Sequence, residues 1–378
     1  SRAHRCTARD VVIESSGVNP LKKRPDTGIF TRHPDNPIVW PGRHDWRLAV
    51  TFNPGVIRTD DGKFLLYERT AGQLRPFHCH IGMLESDDGV NFTQVGDEPV
   101  FTPEMAGSRH GSVQDPRVVR IDGRYLMTYA FRPFAWNSSP SGVSVPESWE
   151  ASYDEFDGDS SKNMTRTGLA VSDDGRTWRH ELWLTPSDLD DRDVILFPEK
   201  IGGRYWMLRR PAQWVGPEYG TEGASIWITS SADLTSWDEA TLLAKAASPW
   251  EGGRIGGATP PVRTDAGWLT LYHGVEYVRQ IPWVKSATGP ASNYVCYRVG
   301  AMLLDLDDPR RVLARTPDFI MEPVEYYEKH GLYIPNVIFP TGNVVVDDEL
   351  WVYYGVCDTA IALATAPVQR ILDAMKPV

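Results

Sequence analysis

The chain lacks the features that mark several large classes of protein. Its four cysteines, Cys6, Cys79, Cys296 and Cys357, are far apart. They show none of the short paired spacings of a zinc site or a disulfide framework, so neither is expected to organise the fold. No apolar run approaches the roughly 18 residues needed to cross a bilayer. The opening SRAHRCTARD has no apolar core of a signal peptide. A cytoplasmic, reduced protein is the simplest expectation. Basic runs are missing beyond Lys22-Lys23-Arg24, and 50 acidic residues against 39 Lys and Arg give a formal charge of −11. Such a surface argues against nucleic acid and membranes as partners. Helical periodicity is nearly absent too. Only Ala366–Met375 places Val368, Ile371 and Leu372 on one face.

What the chain does have is aromatic residues, with 14 Trp, 15 Tyr and 12 Phe in 378 residues, and Gly and Pro scattered throughout. Aromatics favour strands, and flat rings also suit sugar sites. A polar turn followed by a short aromatic strand occurs five times. The copies are DGKFLLYE (Asp61–Glu68), DGRYLMTYA (Asp122–Ala130), GGRYWMLRR (Gly202–Arg210), AGWLTLYHG (Ala266–Gly274) and DELWVYYG (Asp348–Gly355). A second pattern, SDDGVNF (Ser86–Phe92), SDDGRTW (Ser172–Trp178) and SADLTSW (Ser231–Trp237), reads as the hairpin turn between outer strands. Five repeats of this length imply an all-β fold, a five-bladed β-propeller with a central pocket and short terminal helical extensions. The expectation is one domain over residues 1–378, with blades near 50–100, 110–180, 190–240, 250–310 and 335–366. The polar stretch Ala135–Asn163, with Trp136, Trp149 and Tyr153, reads as a long functional loop.

Polar residues sit at matching points of the repeats. Asn53 precedes the first strand, Asp115 the second, and Arg192, Glu199 and Lys200 the third, which ends at Arg210. Arg254 precedes the fourth, which ends Tyr272-His273, and Asp358 follows the fifth. Each taken singly has an ordinary explanation: a salt-bridged arginine, an exposed Glu-Lys pair, a turn aspartate beside proline. Their joint placement predicts convergence at one end of a propeller axis.

The segments FNPGVI, QDPRV, LFPEKIGGRYWMLRRP, RIGGATPPVRTDAGWLTLYHGV and IFPTGNVVVDDELWVYYGVCDT resemble the β-mannoside phosphorylase family of glycoside hydrolases. Members are five-bladed propellers that split β-mannosides with inorganic phosphate and invert the anomeric centre. Some relatives hydrolyse β-1,2-mannosides instead. The resemblance implies Asp115 as the sole general acid, its proton relayed through the mannose 3-hydroxyl. It implies Arg192, Arg210 and Arg254 around phosphate, with Tyr272 and His273 beside them. Asn53, Arg69, Arg117, Lys200 and Asp358 become contacts to the sugar.

The two chemistries differ in their needs. A hydrolase needs a second carboxylate as base, for which Glu199 and Glu251 are candidates. A phosphorylase needs cations to hold an anionic nucleophile, and three are kept here. Phosphorolysis is therefore the leading expectation, with mannosidase and non-catalytic sugar-binding propeller as alternatives. No metal or other cofactor is implied; phosphate is a co-substrate. The linkage and acceptor stay open, as does the oligomeric state, for which the resemblance suggests a homo-oligomer.

Overall fold

A computed structural model describes residues 27–74, 76–135, 163–280 and 293–378, with side chains of 278–280, 293 and 294 left aside. Five antiparallel sheets follow one another along the chain. Blade I runs from Val50–Arg58 through Phe64–Ala71 and His80–Ser86 to Thr93–Gln94. Blade II comprises Ser112–Ile121, Arg124–Arg132, Arg166–Ser172 and Arg179–Trp183. Blade III comprises Asp191–Leu196, Tyr205–Pro211, Ile226–Ser231 and Thr241–Ala244. Blade IV is built on the long hairpin Gly267–Gln280 and Asn293–Leu304, flanked inside by Arg254–Gly257 and Val262–Thr264 and outside by Val312–Arg315. Blade V comprises Ile338–Val346, Glu349–Val356 and Ala360–Pro367.

The sheets pack face to face around a ring, and each interface is a separate apolar cluster. Tyr67 and Met83 of blade I meet Met127 and Trp178 of blade II. Leu126 and Leu169 meet Val194 and Met207 of blade III. Ile195 and Leu208 meet Trp268 and Met302 of blade IV. Leu271 and Val299 meet Val352 and Ala362 of blade V. Tyr353 and Leu363 return to Val56 and Leu66 of blade I. Strands buried on both faces read as nearly continuous apolar runs, as in the pattern of Phe64–Ala71, which is buried throughout.

The serine-aspartate turns close the outer hairpins as expected. In blade I the Ser86 hydroxyl accepts from the Gly89 amide, and Asp88 Oδ1 accepts from the amides of Val90 and Asn91. Ser172 and Asp174 repeat the arrangement in blade II, and Ser231 and Asp233 in blade III.

The ends of the described chain differ from a purely helical expectation. Thr31–Arg32 is a strand that pairs with Ala360–Pro367 and completes blade V. The expected helix near the C-terminus forms as Val368–Asp373. It then gives way to Lys376–Pro377, which pairs with Val312–Arg315 of blade IV. Trp136, Trp149 and Tyr153 lie outside the described residues. Among the described residues, no helix is long and apolar enough to cross a membrane.

Candidate active site

The inner strands share one device. Blade I slips register between Phe52 and Gly55, blade II between Gln114 and Arg117, and blade III between Arg192 and Ile195. Each slip begins at a residue in the left-handed region: Asn53 at φ 45°, Asp115 at 52° and Asp193 at 52°. Asn and Asp tolerate this conformation best after glycine. A bulge re-aims the side chain that it carries. Here all three turn into one cavity of about 230 Å3 on the axis.

One wall of that cavity is the acid side. Asp115 Oδ1 accepts from Asn53 Nδ2 at 2.8 Å and from Arg69 Nη1 at 3.0 Å. Both bonds fall on the same oxygen, which leaves Oδ2 without a protein donor among the described residues. The Arg69 guanidinium lies 4.5 Å over the Phe52 ring and 5.3 Å over Phe77, which fixes its direction. Asp358 completes this wall from the end of blade V. Burial pushes its carboxyl up to about 7, against the pull of Arg69 and helped by the negative charge of Asp115.

A second cluster in the lining is cationic. Arg192, Arg210 and Arg254 all border the cavity, with His273 and Tyr297 beside them. Arg192 is gripped by Asp190 through two bonds of 2.8 Å. Arg210 Nε donates to Asp193 Oδ2 at 2.5 Å, and Arg254 Nη2 donates to the Tyr297 hydroxyl. Each arginine is thus oriented by one edge of its fork, and no protein acceptor among the described residues takes the other edge. Burial would raise the Asp193 carboxyl. The facing Arg210, with His273 and Arg117, more than offsets this and holds it well below the usual carboxylate range. Burial drives His273 down to about 3, with Asp193 opposing and Arg210 and Arg254 reinforcing, so its ring is neutral near pH 7.

Close packing is required for this wall. A Cβ on Gly256 would stand 2.3 Å from Asp193 Oδ2 and 2.5 Å from His273 Cε1. The first glycine of the strand Arg254–Gly257 is therefore a condition of the cluster.

Comparison with known proteins gives the family of the chain. A family model for glycoside hydrolase family 130, described as beta-1,4-mannooligosaccharide phosphorylase, matches residues 21–141 and 160–377. The chain belongs to this family of β-mannoside phosphorylases. It is 34% identical over 344 residues to a 1,2-beta-oligomannan phosphorylase of Thermoanaerobacter sp. (strain X514), covering 89% of this chain and 97% of that protein. It is 31% identical over 356 residues to a beta-1,2-mannobiose phosphorylase of the same organism, covering 90% and 98%. Among solved structures, the beta-1,2-mannobiose phosphorylase of Listeria innocua in complex with beta-1,2-mannobiose superposes with a TM-score of 0.68 at 25% identity, covering 91% and 98%.

Within this family frame, the structure brings together Asn53, Arg69, Asp115, Arg192, Arg210, Arg254, His273 and Asp358 around the cavity. Three other residues expected at the site do not border it. Tyr272 is fully buried inside blade IV, where its hydroxyl donates to Glu251 Oε1 and accepts from Arg315 Nε. Successive strand residues face opposite sides, so when His273 points to the cavity Tyr272 cannot. Lys200 lies in the turn that joins the first two strands of blade III, at the other end of those strands from Arg192 and Arg210, donating to Asp122 at 2.6 Å over the Tyr205 ring. Arg117 sits behind the wall as a brace. It donates to the Ala258 carbonyl at 2.9 Å, the Asp115 carbonyl at 3.1 Å and Asp193 Oδ1 at 3.3 Å.

The two candidate bases are also elsewhere. Glu199 is paired with Arg263 at the surface. Glu251 is buried, accepting from the Ala247 and Ser248 amides, Tyr272 and Arg315. The lining residues that sequence reasoning missed include Asp193, Arg132, Tyr297 and Tyr333. Asp193 had a signal, as the third member of the series Asn53, Asp115, Asp193, hidden because valine replaces the proline that follows the first two.

Proposed function

We propose that this chain catalyses the inverting phosphorolysis of β-mannosides, releasing α-mannose 1-phosphate and a shortened acceptor. Asp115 is the general acid for the leaving oxygen, and Arg192, Arg210 and Arg254 hold the phosphate. The observation that carries this reading is the division of one cavity into two walls. A carboxyl group held by Asn53 and Arg69 shares the cavity with three arginines that each keep a free edge. Phosphate brings its own nucleophilic oxygen, so the chemistry asks the protein for an acid and for cations, not for a base.

Hydrolysis is less well served. Glu199 and Glu251 do not border the cavity, and Asp193 is paired with two arginines and held ionised, a poor acceptor for a water proton. The named relatives make β-1,2-linked mannobiose and longer β-1,2-oligomannosides the first substrates to test.

The decisive assay incubates the protein with β-1,2-mannobiose in the presence and absence of phosphate. Mannose 1-phosphate formed only with phosphate supports the reading; free mannose in both buffers overturns it in favour of hydrolysis. Asp115→Asn should lower kcat by about 100-fold or more while disaccharide binding, measured by calorimetry, stays within about threefold. Wild-type turnover in that variant would remove Asp115 from its role.

A further inference from the structure

The arginine that holds the acid is itself held from behind. Arg69 Nη1 donates to Asp115 Oδ1 at 3.0 Å, and Arg69 Nε donates to Cys79 Sγ at 3.4 Å. The carboxyl and the sulfur thus take different N–H groups of one rigid fork. Cys79 is fully buried and does not border the cavity. Its sulfur also lies 3.7 Å from the Phe77 carbonyl, toward which the S–H donates while a sulfur lone pair receives Arg69.

The backbone of Cys79 is fixed by the strand that carries the acid. The Cys79 amide donates to Ser112 Oγ at 2.8 Å, and that hydroxyl donates to the Phe77 carbonyl at 2.8 Å. The Val113 amide donates to the Cys79 carbonyl at 3.1 Å. The contacts close a circuit. Strand Ser112–Ile121 fixes Cys79, Cys79 fixes Arg69, and Arg69 returns to Asp115 on the same strand.

Burial raises the thiol above its ordinary value, against the pull of Arg69, so it stays protonated near pH 7. A neutral partner orients Nε without cancelling the cation, whose charge is left for Asp115. We propose that Cys79 is a positioning residue for the general acid: its sulfur fixes the Nε edge of Arg69, which keeps Nη1 on Asp115 Oδ1 and leaves Oδ2 for the leaving-group proton. The inference rests on the reading of Asp115 as the acid. A catalytic group must be held within about 0.5 Å of its productive position, so the loss of an anchor one residue behind it is felt in turnover.

The test compares Cys79→Ser and Cys79→Ala in the full chain, by initial rates on β-1,2-mannobiose with disaccharide and phosphate varied in turn. Serine and alanine leave nearly the same space and differ by a hydroxyl, which accepts from Nε as the sulfur does. Cys79→Ala should lower kcat about 10-fold, the scale of a lost hydrogen bond to a charged group. KM for phosphate should stay within about threefold. Cys79→Ser should keep kcat within about threefold of wild type. Wild-type kcat in Cys79→Ala, a serine variant as slow as the alanine one, or a phosphate KM that rises as far as kcat falls would each overturn the proposal. If Cys79→Ala does not fold, Cys79→Val, which fills the space and cannot accept, is held to the same expectation. Phosphorolysis at equal rates in wild type and variants would overturn this inference alone. Free mannose released without phosphate would overturn phosphorolysis and leave this inference to the same comparison of kcat. A wild type without turnover would overturn both.

Discussion

At the scale of single residues, the site depends on charges that are held and yet left partly open. Arg210 is 9% exposed and fixed through Nε, so its remaining N–H groups face the cavity without further ordering. Arg210→Gln should raise KM for phosphate by about 10- to 100-fold, the scale of a lost hydrogen bond to a charged group. KM for the mannoside should move by less than about threefold, and initial rates with each substrate varied in turn separate the two. Equal increases would place Arg210 outside the anion site. Asp358 gives a pH test. Its folded-state carboxyl titrates near 7, above the ordinary carboxylate value of 3.8. The folded protein therefore binds this proton more tightly than the unfolded chain. The resulting stabilisation is full below pH about 4 and is lost as pH rises through 7. Asp358→Asn should flatten that part of the Tm–pH curve; an unchanged slope would show that Asp358 is not the group responsible. Among the residues around it, Asn53, Asp115 and Arg210 were legible in the sequence from their places in the repeat. Asp193 was not, since its partners Arg117, Arg210 and His273 come from three separate strands.

At the scale of elements, two sequence repeats lock into each other. The tyrosine of one blade's aromatic strand donates to the glycine carbonyl in the next blade's outer turn. Tyr353 reaches Gly89 at 2.7 Å, and Tyr67 reaches Gly175 at 2.6 Å. Both glycines are in the left-handed region, at φ 75° and 70°, which the turn requires and which only glycine adopts freely. Tyr353→Phe should therefore cost about 1 kcal/mol, because it leaves a buried carbonyl unpaired without creating a large cavity. Denaturant titration measures this, and a neutral effect would show that the contact is incidental. The turns were readable in the sequence because serine and aspartate bond to backbone amides only two or three residues away. The latch was not, because it joins residues 264 and 108 positions apart.

At the scale of the whole molecule, the ring is closed by a strand from one end of the chain and edged by a strand from the other. Arg32, in the closing strand, donates through Nε to Glu328 at 2.7 Å and through Nη2 to the Glu322 carbonyl at 2.7 Å. Glu328 is fully buried and also accepts from the Val324 and Glu325 amides and the Tyr354 hydroxyl. Arg32→Ala should destabilise the fold by about 3–5 kcal/mol, since it strands a carboxylate away from water without its cation. The loss should appear as a lower denaturation midpoint, and a midpoint equal to wild type would mean that the ring closes without this pair.

The sequence by itself determined the number of blades, the aromatic strand of each, the serine-aspartate turns of three, and the family. These rest on short-range patterns, namely two-residue alternation, serine-aspartate turns and motifs of contiguous residues. Tertiary structure alone decided which charged residues meet. Adjacent positions on a strand face opposite ways, so Tyr272 enters the blade while His273 enters the cavity. A bulge reverses that alternation locally, as at Asn53, Asp115 and Asp193. Whether Lys200 or Arg210 reaches the axis depends on where along its blade each residue lies.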